Sequence, residues 1–160
     1  MTCKSTIHIS TFLRLHTGAL VPIAEHSKCV DDEDYIEGAL EIQVNKKIVI
    51  PRKYWDYIDQ LWSYFVNALI GIHEGQDSFE ISYPDQPIII CITRLSGKSA
   101  KILFKGGLDK IEEEVDWELL VESIIISGLS FFEKMKELNP GKAEVYQYEI
   151  NRLKNTIIKK

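Results

Sequence analysis

Cysteine is scarce in this sequence: Cys3, Cys29 and Cys91 form an odd, scattered set among 160 residues, unlike the dense, even frameworks that staple small secreted domains. Reduced thiols in a cytoplasmic setting are the expectation. No export signal is expected, because Met1 to Ser10 mixes Lys4 and His8 with alternating Thr and Ile and never reaches the apolar run a signal peptide requires. The longest strongly apolar stretch, Leu119 to Phe132, is interrupted by Glu122, Ser123, Ser127, Gly128 and Ser130 and is too short to span a bilayer. Cations are not in excess either: 24 acidic side chains stand against 19 basic ones. The mean field therefore repels phosphates and attracts cationic partners. Nucleic acid and membranes are not expected partners.

What is present is an ordinary globular balance, 45% hydrophobic and 27% charged, at a length typical of one domain. Ser5 to His16 alternates as a half-buried strand, and Gly18 turns it into Ala19 to Ala24, where Pro22 marks an edge. A second hairpin is expected across Asn45, Lys46 and Lys47, with Asn45 tolerating the turn geometry. After Pro51 the apolar period changes to about 3.6 residues, so a helix is expected from Arg52, with Trp55, Ile58, Leu61, Trp62, Phe65, Leu69 and Ile72 on its inner face. Ser78 to Tyr83 alternates again before Pro84 to Pro87 breaks the chain. Ile88 to Ile92 reads as a central strand covered on both faces, and Ala100 to Lys105 as its return, with Gly106-Gly107 closing the sheet region.

Asp116 is a good N-cap for a long central helix from Trp117 to Leu138, stopped by Asn139-Pro140, and a last helix spans about Lys142 to Ile157. The chain thus reads as a single α+β domain. A mainly antiparallel sheet of about five to seven strands, N-terminal hairpins plus a central meander, is packed by one central and two further helices.

Motifs that carry chemistry are weak. Gly97-Lys98-Ser99 matches the end of a phosphate-binding loop, but the glycine required five residues earlier is Ile92, and strands flank the triplet. A hairpin turn is expected. His8, His16, His26, Cys3 and Cys29 crowd the first thirty residues, and His26 lies three before Cys29, yet no second ligand pair completes a zinc site. His73 suits the negative end of a helix. Cys91, between Ile90 and Ile92, reads as an inert core thiol. Asp56 and Asp59 read as solvated charges or partners of Lys and Arg. No catalytic residue, metal or cofactor is expected, and the chain reads as non-enzymatic.

Two acidic clusters remain: Asp31, Asp32, Glu33, Asp34, and Asp109, Glu112, Glu113, Glu114 with Asp116. Solvated loops are the plain reading. The sharper one is a docking surface for a basic protein, where complementary charge speeds encounter and aromatic residues such as Tyr35, Tyr54, Tyr57 and Tyr64 supply affinity.

Tyr54-Trp55-Asp56, the run Leu61 to Leu69, and Tyr83-Pro84-Asp85-Gln86-Pro87 together resemble a pattern in small bacterial immunity proteins of polymorphic and contact-dependent toxin systems. The resemblance covers the central third of the chain. It implies a small cytoplasmic α+β protein that binds and blocks a cognate, basic protein toxin, and it transfers no functional residue. A homo-oligomeric structural or small-ligand-sensing regulatory domain, using the aromatic helix Tyr54 to Ile72 as its contact, is the second reading.

Overall fold

The computed structural model describes residues 5–158. Cys3 and the start of the N-terminal segment lie outside them. Two antiparallel sheets and three α-helices make an α+β fold. In the first sheet β1 (Ile7–Arg14) pairs with β2 (Leu20–Pro22) on one side and with β3 (Glu37–Val44) on the other. β3 is also joined by β4 (Lys47–Ile50) and β5 (Trp55–Tyr57). The second sheet is a meander of β6 (Ser78–Ser82), β7 (Ile89–Arg94), β8 (Ser99–Gly106) and β9 (Asp109–Asp116), in that order. The helices are α1 (Ile58–His73), α2 (Trp117–Leu138) and α3 (Ala143–Ile158).

Local chemistry explains most boundaries. Pro22 ends β2 at the sheet edge, where its missing N–H costs nothing. The β3–β4 turn places Asn45 at φ 52° and Lys46 at φ 69°, the two left-handed residues of a turn whose twist matches a hairpin. Lysine is a poor occupant of that conformation, since its Cβ crowds the following carbonyl. Lys46→Gly is expected to raise stability by about 1 kcal/mol, read as a higher midpoint of thermal unfolding; an unchanged or lower midpoint would contradict this account of the turn. Asp116 caps α2 as its sequence position requires, accepting from the Leu119 N–H at 2.8 Å.

Four expectations are corrected. The helix expected from Arg52 starts at Ile58. Trp55 to Tyr57 are drawn into the first sheet opposite Ala39 to Glu37, and the Ile58 N–H donates to Ile36 O at 2.8 Å. Tertiary pairing has overridden the helical period. Gly106-Gly107 does not close the second sheet either, because the acidic run Asp109–Asp116 is its last strand. Pairing costs little there: Glu112 and Glu114 stay exposed, Lys101 stands opposite Glu114, and Val115 alone is fully buried. Extra strands therefore come from segments read as helix and as loop. Thirdly, β7 is covered on one face only, with Ile90 and Ile92 buried and Ile89, Cys91 and Thr93 on an open face. Cys91 is half-exposed rather than a core thiol, and burial together with the neighbouring Glu80 pushes it up, towards the unreactive thiol form.

The fourth concerns Asp56, which is 3% exposed. It accepts from the N–H groups of Tyr57 at 2.7 Å, Asp85 at 3.0 Å and Gln86 at 2.8 Å, while Gln86 Nε2 donates to Trp55 O at 3.3 Å. It is a buried clamp, not a solvated charge. The core lies between the sheets and helices. The α1 residues Leu61, Trp62, Phe65 and Leu69 are all at most 3% exposed, and α2 packs against β1, α1 and α3.

Candidate functional site

A concavity lies at the β1–β2 end of the first sheet. Gly18, at φ 90°, lets the chain reverse after Leu15, whose N–H donates to Ala19 O at 2.8 Å. After β2 and one 3-10 turn the chain runs back as residues 26–36, held to the end of α2 by Val30 N–H donating to Leu138 O at 2.8 Å. Between this returning loop and β1 lies a groove of about 690 Å³, a volume within the range of ligand and peptide clefts.

Leu13 and Ile36 form its buried floor, with Val21 and Val30 half-buried beside them. Tyr35 stands at the rim, 61% exposed, its ring 5.6 Å from that of Tyr57. The side chain of Asp32 sets this position, since its Oδ1 accepts from the Asp34 N–H at 2.9 Å and the Tyr35 N–H at 3.3 Å. An aspartate bonding its own downstream backbone forms a tight turn, and the turn projects the tyrosine outwards.

The groove is acidic. Glu25, Asp31, Asp32 and Glu37 line it against two fixed cations, Arg14 and Lys28. Arg14 is committed: it bonds Glu37 at 2.7 Å and stacks 4.1 Å above the Trp55 ring. Glu25, Asp31 and Lys28 have no ion-pair partner among the described residues, which leaves the groove with a net excess of negative charge.

The acidic loop of residues 31–34 and the β9 cluster do not form one surface. The loop is anchored at the C-terminal end of α2, and Glu112 to Glu114 precede its N-terminus, with a helix of about 33 Å between them. Internal cations also take up much of the charge. Asp34 pairs with Lys142 at 2.8 Å, Asp109 with Lys53 at 2.8 Å, Glu113 with Lys47 at 3.0 Å and Glu112 with Lys101 at 3.8 Å. Asp109 also accepts from the Tyr54 hydroxyl at 2.6 Å, and the Lys53 ammonium and that hydroxyl hold its carboxyl below the usual range. Glu33 stays exposed, but its backbone carbonyl accepts from Asn139 Nδ2 at 3.2 Å. Glu114 has no ion-pair partner among the described residues. The first cluster adjoins the groove over Leu13 and Ile36, whereas Asp109 of the second lines a smaller, shallow concavity of about 290 Å³ with Pro87 and Leu108.

A polar network beneath the loop fixes it to the core. Asn139 Nδ2 also donates to the Tyr146 hydroxyl at 2.9 Å, which donates to Asp59 Oδ2 at 3.1 Å. Asp59 is thus a partly buried acceptor, and its burial raises its pKa above the ordinary carboxylate value. A raised acid pKa stabilises the fold fully below the unfolded value and loses that contribution as pH rises through the folded one. Wild type is therefore expected to lose stability relative to Asp59→Asn as pH goes from about 3 to 7. Urea unfolding of both proteins across this range checks it; parallel curves would contradict it.

The remaining sequence candidates sit apart. Gly97-Lys98 is the β7–β8 turn, with Gly97 at φ 76°, and Ser99 opens β8. His16, His26 and Cys29 all line the groove, but among the described residues no group of three His, Cys, Asp or Glu could hold a metal ion. His73 is the last residue of α1. The aromatic face of that helix is buried, leaving Tyr64 as its exposed aromatic residue, at 38%. No family model matches the chain, and no curated protein or solved structure does.

Sequence reading picked out Asp31, Asp32 and Tyr35 but not their neighbours Arg14, Leu13, Val21 and Val30. These come from β1, β2 and the returning loop, and no local pattern announces a concavity shared by three segments.

Proposed function

We propose that the chain is a non-enzymatic protein-binding domain whose groove at residues 13–37 receives a basic segment of a partner protein. One observation carries this reading: an apolar floor, an exposed aromatic rim residue and the carboxylates of Glu25 and Asp31, which have no ion-pair partner among the described residues, occupy the same concavity. A desolvated aromatic contact supplies affinity, and the surrounding charge selects and steers a cationic partner. The net charge of −5 acts in the same direction at long range.

The resemblance of Tyr54 to Pro87 to immunity proteins makes the proposal more concrete. In that form the partner is a cognate toxin and the complex blocks its active site. The quoted residues serve this chain's own fold rather than a contact surface, since Trp55 and Asp56 bind the Asp85-Gln86 turn and Trp62 and Phe65 are core. The test is capture from the native host's lysate, followed by assay of the captured protein's own activity. One stoichiometric basic partner, inhibited in the complex, is the expected result. An acidic partner, or one fully active when bound, would overturn the proposal.

A further inference from the structure

The second sheet ends in an edge strand whose outer backbone groups have no backbone partner among the described residues. β6 is its terminal strand, with only β7 beside it. The Tyr83 N–H donates to Ile88 O at 2.9 Å and the Arg94 N–H to Asp77 O at 2.7 Å. Antiparallel ladders alternate, so Phe79 and Ile81 share this bonding set and the N–H and C=O groups of Ser78, Glu80 and Ser82 point away from the sheet. Among the described residues no backbone group meets them. All three residues are exposed, while Ile81 is buried.

Natural edge strands are blunted by proline, charged side chains and lysine above all, a bulge, shortness, or a covering helix or loop. β2 has three residues and ends in Pro22, and β4 has four residues and starts with Lys47. β9 is guarded by that same Lys47, whose Nζ donates to Glu112 O at 3.2 Å. β6 lacks proline, lysine and a bulge, and its register with β7 is unbroken over Ser78–Ser82; α1 packs against it, and Glu80 is its one charged residue. At about 3.4 Å per residue it offers some 17 Å of open ladder.

Charge chooses the occupant. The centred register for a second copy, which pairs all five residues, would set Glu80 directly opposite Glu80, and opposed like charges destabilise strand pairs. The Glu80 carboxylate also has no cation within ion-pair distance among the described residues. We infer that β6 docks an extended segment of another protein as a fifth strand of the second sheet, with a lysine or arginine across from Glu80. Main-chain bonds to Ser78, Glu80 and Ser82 give affinity and the opposed charge gives selectivity. This surface lies on the other sheet from the groove and does not depend on it.

The test pans a phage-displayed library of random linear peptides against the intact protein and measures amide exchange with the selected peptides bound. Enriched peptides should alternate β-branched residues with a basic one and slow exchange at Ser78, Glu80 and Ser82. Glu80→Lys should weaken them about tenfold, whereas Tyr35→Ala in the groove should not. A library without binders, binders that leave those amides unprotected, or equal binding to Glu80→Lys would overturn the assignment. Protection that grows with protein concentration and needs no peptide would assign the edge to a second copy instead.

Discussion

Trp62→Ala is expected to lower the free energy of unfolding by about 4 kcal/mol, the range seen when a large aromatic residue is removed from a packed core. The side chain is 1% exposed and ties α1 to α2 and to β1 of the first sheet. Its ring stacks on Phe131 of α2 at 5.7 Å and tilts against Phe65 at 5.6 Å, and its Nε1 donates to Thr11 Oγ1 of β1 at 3.2 Å. Gly128 of α2 is small to admit it, since a Cβ there would stand 3.2 Å from the indole. Alanine would leave a void bounded by three elements that cannot all close on it, and would strand the Thr11 hydroxyl. The denaturation midpoint should fall while its slope with urea is unchanged. A loss below about 1 kcal/mol would show that α1 and α2 do not meet through this residue.

The second large effect is expected at Asp56. Asp56→Ala removes the acceptor for the N–H groups of Tyr57, Asp85 and Gln86, and each buried donor left unpaired costs about 1–3 kcal/mol. The Pro84–Pro87 corner is partly open to water, so some of that cost is recovered and a net loss of about 3 kcal/mol is expected. Asp56→Asn keeps one accepting oxygen and should lose about half as much. Chemical denaturation measures both. Equal stability of the alanine variant and wild type would contradict the clamp.

These two residues show where sequence is a sufficient guide. Trp62 was legible because burial on a helix repeats every three to four residues, so Leu61, Trp62, Phe65 and Leu69 declare a face without reference to anything distant. Asp116 and the Asn45 turn were legible for a similar reason: a cap or a tight turn is decided within four residues. Asp56 was not, because its donors lie 29 and 30 residues further along the chain and an isolated aspartate looks the same whether it meets water or amides. β9 was hidden by its charge, which a strand tolerates here because Lys101 of β8 stands opposite Glu114 and Lys47 of β4 pairs with Glu113. At the candidate site the acidic loop and Tyr35 were visible as composition. Their separation from the β9 cluster, and the floor that turns a charged loop into a groove, follow from the pairing of β1 with β2 and from the tie between Val30 and Leu138.

The proposal that the groove captures a basic partner makes its strongest demand on association kinetics. Asp31→Asn with Asp32→Asn removes two charges while keeping an acceptor for the Tyr35 turn, and Tyr35→Ala removes the aromatic contact. The deciding measurement is the association rate of the captured partner with wild type and with this triple variant, from about 0.05 to 0.3 M salt. Wild type should associate at a rate that falls steeply with salt, and the variant should associate about tenfold more slowly with a flatter dependence. Equal rates and equal salt slopes for the two proteins would contradict the groove as the binding site.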